Sequence, residues 1–170
     1  MSRGSWWPRM AMVVGLIVSG TACDSGDGQT ASGSGSASVA GAGECSPVGT
    51  ELEEAADETV AVELDEYAFN PAIIEVAAGT VTFEAENIGT EDHELAFLPG
   101  GGEVPVTDGA PDEDALAEAG AFELEAFGAG QTCNATYELE PGSYTMFCIV
   151  ETADGETHLT LGMQGELRVQ

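Results

Sequence analysis

The chain has 170 residues, with 31 Asp and Glu against three Arg and no Lys, and a formal net charge of −28. That balance excludes sequence-independent nucleic-acid binding, which needs Lys and Arg to neutralise phosphates, and it leaves no basic patch for anionic lipid. The length fits one ordinary domain. Branched and aromatic side chains gather in patterned runs after residue 59, so the acidity belongs to a folded domain rather than to a disordered chain.

Arg3 and Arg9 give the N-terminus a positive start, and the 13 residues from Met10 to Ala22 are mostly apolar. A membrane-spanning helix needs roughly 20 apolar residues, so 1–22 reads as a signal peptide. It ends in Gly20-Thr21-Ala22-Cys23, which resembles a bacterial lipobox. That resemblance implies lipidation of Cys23 and attachment to the membrane through the lipid. Residues 23–44 are rich in Gly, Ser and Ala and read as a flexible tether with a reach of roughly 25 Å. The expected location is outside the cytoplasm, either on the outer face of the cytoplasmic membrane as a lipoprotein or as a secreted or periplasmic protein. The folded domain is expected over 45–170.

Strand signals dominate that domain. Val60, Val62 and Leu64 alternate with small or acidic residues, as do Val81, Phe83 and Ala85, and then Cys133, Ala135, Tyr137 and Leu139. After the Pro141-Gly142 turn, Tyr144, Met146 and Cys148 share one face, and Leu167 and Val169 repeat the pattern. Short period-two runs punctuated by Gly and Pro predict an all-β sandwich or barrel with one buried face per sheet. Between them, 99–131 reads as an acidic excursion, with a short helix over Pro111 to Gly120 from its Pro-acid start and Gly end.

Three segments near strand ends carry the chemistry. They are Asn87 to His93, Pro141 to Cys148, and His158 to Gly165, the last containing Met163. Two imidazoles, a thiolate and a weak thioether can form the trigonal His₂Cys site with axial Met that defines blue copper. His93, Cys148, His158 and Met163 are therefore the candidate ligands of one copper ion.

These segments resemble the cupredoxin family, its plastocyanin-like members in particular. The motifs are Tyr67-Ala68-Phe69-Asn70-Pro71, Asn87-x5-His93, Pro141-Gly142-x-Tyr144-x3-Cys148 and His158-x4-Met163-x-Gly165. The resemblance implies an eight-stranded Greek-key β-sandwich and one-electron transfer. It also implies that Asn87 and Glu94 support the ligands from behind, Glu94 standing where relatives often carry an Asn that pins the cysteine loop. Nine residues separate Cys148 from His158, where relatives have two to four. The pair Asp154-Gly155 predicts a two-residue hairpin turn that folds the excess out. Electrons are expected to pass through an exposed edge of His158, ringed by Leu98, Pro99 and Leu161, to a redox protein of cationic surface.

The chain contains only two His, so a copper site using both leaves none for a second, oxygen- or nitrite-reducing centre. No nucleophile elbow or phosphate-binding glycine loop accompanies them, and the expected role is an electron carrier rather than an enzyme. Two other readings stand beside it: a copper-binding or delivery protein, and a metal-free interaction domain with Cys133 crosslinked to Cys148. With Cys23 lipidated and Cys148 on the metal, an exported protein favours a disulfide between Cys45 and Cys133.

Overall fold

A computed structural model describes residues 45–52 and 55–170. The signal peptide at 1–22, the lipidation of Cys23 and the 23–44 tether lie outside the described residues. Among the described residues no helix is long and apolar enough to cross a membrane.

The strands are β1 (Pro47–Val48), β2 (Glu58–Asp65), β3 (Ala68–Asn70), β4 (Ile73–Val76), β5 (Gly79–Asn87), β6 (His93–Pro99), β7 (Val106–Thr107) and β8 (Ala110–Pro111). The helix α1 (Glu113–Glu118) follows, then β9 (Phe122–Phe127), β10 (Thr132–Leu139), β11 (Gly142–Phe147) and β12 (Gln164–Val169). They build a β-sandwich. One sheet is six-stranded in the order β1-β9-β6-β11-β12-β4, the other four-stranded in the order β10-β5-β2-β3, and β7-β8 form a small ribbon. Two sheets of six and four strands replace the eight strands that the resemblance implies. The additional strands are short edge pieces such as β1 and β3.

The inward residues of each alternating run meet between the sheets. Val62, Leu64, Val81, Phe83, Ala85, Ala135 and Leu139 face Leu95, Phe97, Leu124, Met146 and Leu167 in one buried cluster. Burial of this apolar area, worth roughly 25 cal/mol per Å² removed from water, is what closes the sandwich. A second cluster lies on the other face of the six-stranded sheet, where Ala96, Leu98 and Phe147 pack with Val104, Leu116 and Leu159.

That second cluster explains a departure from the alternation. Six of the seven residues of β6 are buried, because the loop and helix that follow cover its outer face. A strand covered on both faces reads as a continuous apolar run, not as a period of two. The acidic excursion is also shorter than 99–131, since β9 pairs with β6 inside the sheet. Its outward Glu123 and Glu125 gave this strand the composition of the preceding acidic loop.

The helix is narrower than Pro111 to Gly120. Asp112 is its N-cap, with Oδ1 accepting from the Ala115 amide at 3.0 Å, and Pro111 instead ends the β7-β8 ribbon. A capping Asp leaves the residue before it free of helical geometry. Gly120, at φ 77°, closes the C-terminus as left-handed glycines do.

Candidate metal centre

Each candidate donor is positioned at one end of the sandwich by a different strand boundary. His93 opens β6, Cys148 follows β11 on the inward face of Tyr144 and Met146, and His158 and Met163 lie in the loop before β12. Asn87 ends β5 and locks the first of these loops. Its Nδ2 donates to the carbonyls of Glu91 at 2.8 Å and Phe127 at 2.9 Å, and its Oδ1 accepts from the Gly89 amide at 3.0 Å. A buried amide satisfied on three sides holds the turn that delivers His93.

The long Cys148–His158 connection does fold out as a hairpin. Glu151 bridges Thr157, the Thr152 amide donates to the Glu156 carbonyl at 2.8 Å, and the His158 amide donates to the Val150 carbonyl at 2.9 Å. The turn is a three-residue loop, Ala153–Gly155, rather than a two-residue one. Gly155 sits at φ 83°, and a left-handed glycine at the third position produces the bulged hairpin in place of the tighter turn.

The structure brings His93, Cys148 and His158 together, their ligand atoms all within 4.8 Å of one another. His93 Nδ1 lies 3.0 Å from His158 Nδ1, and Cys148 Sγ lies 3.4 Å from the same nitrogen. Bonds of about 2.0 Å to nitrogen and 2.3 Å to sulfur, at tetrahedral to trigonal angles, would set such donors roughly 3.3–3.7 Å apart, close to these separations. The donor set and its spacing therefore fit one soft metal ion. Met163 is fully buried, and its amide donates to the His158 carbonyl at 2.9 Å, which ties it to the same loop.

Burial sets the protonation of these groups. It depresses the basicity of His93, with His158 adding repulsion, and it depresses that of His158, with Glu91 opposing. Burial, with Glu94 nearby, pushes the Cys148 thiol up to about 12. Without a cation the site thus favours neutral imidazoles and a neutral thiol. A bound cation inverts that preference for the thiol.

Glu94 is buried and accepts from the Ile149 amide, so it pins the residue after Cys148 as the Asn of relatives is expected to do. Burial raises its carboxyl to about 7, with Glu123, Glu113 and Glu125 contributing. Cys45 and Cys133 are joined in a disulfide, and Cys148 is a free buried thiol. That arrangement is incompatible with the alternative Cys133–Cys148 crosslink.

The expected exposed edge of His158 is not present. The residue is fully buried, with Tyr67 edge-on against its ring at a centroid distance of 5.1 Å and Glu91 Oε2 3.2 Å from Nε2. Nor do Leu98 and Pro99 ring it as a surface patch. Leu98 is buried under the helix cluster, and Pro99 lies at the opposite end of β6 from His93, roughly 20 Å away at strand rise. Tyr67 and Glu91 are the site residues that sequence reasoning missed. The nearness of Glu91 to His93 was visible, but nothing local connects it to His158.

The comparisons agree on the fold. Auracyanin B is similar over 73% of this chain and 97% of its own, at 22% identity and a TM-score of 0.55. The dithionite-reduced auracyanin of the photosynthetic bacterium Roseiflexus castenholzii is similar over 68% and 99%, at 19% identity and a TM-score of 0.51. No protein-family model and no curated protein matches the chain. The fold is that of the cupredoxins, the class of β-sandwich to which the auracyanins belong.

Proposed function

We propose that this domain is a type 1 copper protein that carries single electrons between redox partners outside the cytoplasmic membrane. The observation that carries the reading is the convergence of His93 Nδ1, Cys148 Sγ and His158 Nδ1 in one buried pocket. Copper in such a set supplies a one-electron couple, with thiolate and thioether favouring Cu(I) and imidazole serving both states. The chain's part is to hold its donors in place through the change. Asn87 fixes the His93 loop, Glu94 fixes the Cys148 loop, and the hairpin with its return bond to Val150 fixes His158. Met163, buried in the same loop as His158, would supply the weak thioether donor.

The likeness in fold to a reduced auracyanin supports the carrier role, as does a site with no histidine left for a second metal. The reading is therefore of a carrier, not an enzyme. Export by 1–22 and anchoring through Cys23 complete it. The redox partner is assigned a cationic surface, because the described residues contain a single cation, Arg168, already paired with Glu166 at 2.6 Å and Glu75 at 3.2 Å.

The test is addition of Cu(II) to the purified protein. An intense blue absorption that bleaches and returns through cycles of reduction and reoxidation supports the carrier. Colourless binding, or a colour that cannot be cycled, rejects it and leaves copper delivery or a metal-free role.

A further inference from the structure

The cover over His158 is a feature that the three donors do not account for. His158 Nε2 lies 3.2 Å from Glu91 Oε2, set off the line of a hydrogen bond. Among the described residues no other carboxylate comes within 4.0 Å of either imidazole. The outward nitrogen of His93 has no hydrogen-bond partner, and a Cβ added at Gly89 would stand 2.9 Å from it and 2.8 Å from Glu66 Oε1. Of the two imidazoles, only that of His158 has a carboxylate in direct contact among the described residues.

Glu91 is held from three directions. Its amide donates to Glu66 Oε1 at 3.3 Å, its carbonyl accepts from Asn87 Nδ2 at 2.8 Å, and its Oε2 accepts from the Tyr67 hydroxyl at 3.3 Å. Glu66 also accepts from the Thr90 amide and hydroxyl, which braces the same turn. Tyr67 sits between β2 and β3 at φ 61°, uncommon for a residue other than glycine, with its ring against His158. The carboxylate is placed, not loosely arrayed on the surface.

We propose that Glu91 is a positioning residue for the metal centre, orienting His158 through its outward nitrogen and strengthening it as a donor. The inference rests on the copper reading above and adds a residue that the family resemblance does not supply. A carboxylate behind a ligand imidazole keeps the proton on the far nitrogen, leaves the near lone pair for the metal and raises its basicity. Here that assigns the proton to Nε2 and the lone pair to Nδ1, the atom facing Cys148 and His93. The negative charge also favours the more oxidised metal, so Glu91 lowers the reduction potential. Tyr67 holds the carboxylate in place.

The experiment compares Glu91→Ala, Glu91→Gln and Tyr67→Phe with Glu138→Gln, which removes an exposed charge at the far end of β10. Three quantities are read in the full chain: Cu(II) affinity by chelator competition, reduction potential, and the ¹⁵N shifts of the His158 ring without copper. Glu91→Ala is expected to weaken Cu(II) binding about 10- to 100-fold, raise the potential and shift the ring away from the Nε2–H tautomer. Glu91→Gln keeps an acceptor without the charge, so it raises the potential while retaining the tautomer. Tyr67→Phe moves all three in the direction of Glu91→Ala, by less, and Glu138→Gln moves none. Wild-type affinity, potential and tautomer in Glu91→Ala overturn the proposal, as does an equal potential shift in Glu91→Gln and Glu138→Gln. A wild-type protein that forms no blue centre defeats the copper reading, and the ring ¹⁵N shifts still decide the Glu91–His158 contact.

Discussion

His93 Nδ1 and His158 Nδ1 stand 3.0 Å apart although 65 residues separate them in the chain. A neutral imidazole offers one donor and one acceptor nitrogen, so a pair of like nitrogens this close is held either by a shared proton or by a cation. The Cys148 sulfur 3.4 Å from His158 Nδ1 adds a third donor to the same point.

Cys148→Ser is expected to abolish the blue absorption, because a hydroxyl cannot supply the thiolate charge transfer. Met163→Leu should keep the colour and raise the potential by removing a donor from the oxidised metal. Absorption spectra and voltammetry of the two copper-loaded variants check both outcomes.

Glu94 predicts a pH dependence of the copper-free protein. Its carboxyl is raised from 4.5 to about 7, so the folded state binds the proton more tightly than the unfolded one. Stability is therefore full below about pH 4.5, declines as pH rises towards 7, and levels off above it. The decline is at most about 3 kcal/mol at 1.36 kcal/mol per unit. Glu94→Gln keeps an acceptor for the Ile149 amide and should lack this part of the decline. Urea unfolding of wild type and variant from pH 4 to 8 gives the difference directly.

The disulfide predicts a stability loss separate from the metal site. Cys45 and Cys133 close a loop with a sequence separation of 88, for which chain entropy gives about 4–5 kcal/mol and measured losses run about 2–5 kcal/mol. Cys45→Ser with Cys133→Ser should lower the denaturant midpoint by that order. The bond joins the domain's N-terminal end to β10 and includes no candidate ligand, so copper colour should survive below the new transition. Equilibrium unfolding and the visible spectrum of the double variant measure the two.

The acidity predicts the salt response of electron transfer. Fields of this kind raise association with a cationic partner roughly ten- to a thousand-fold, and screening shortens from about 10 Å at 0.1 M salt to about 3 Å at 1 M. Stopped-flow transfer to a cationic cytochrome should be fast at low salt and slow steeply as salt rises. The buried His158 adds a second expectation, that Tyr67→Ala speeds reduction by a small inorganic reagent by uncovering the ring.

Much of the sandwich was legible because half-buried strands announce themselves by alternation. Val60 to Leu64, Val81 to Ala85 and Cys133 to Leu139 each bury one face only, and a period of two records that directly. His93 to Pro99 was not legible in this way, since the following loop and helix, with Leu159, bury its second face. Phe122 to Phe127 was hidden by acids that point outward and resemble the neighbouring helix in composition. The identity of the candidate donors could be read because His, Cys and Met are scarce in this chain and fall beside turn signals.

The sequence by itself determined the acidity, the alternating strands, the scarcity of imidazole and the placing of each donor at a strand boundary, because these are properties of composition and of local backbone period. Only the tertiary structure decided that His158 is buried and that Glu91 and Tyr67 cover it. Those are contacts between segments about 67 and 91 residues apart, set by sheet pairing and register. Neither composition nor period carries that information.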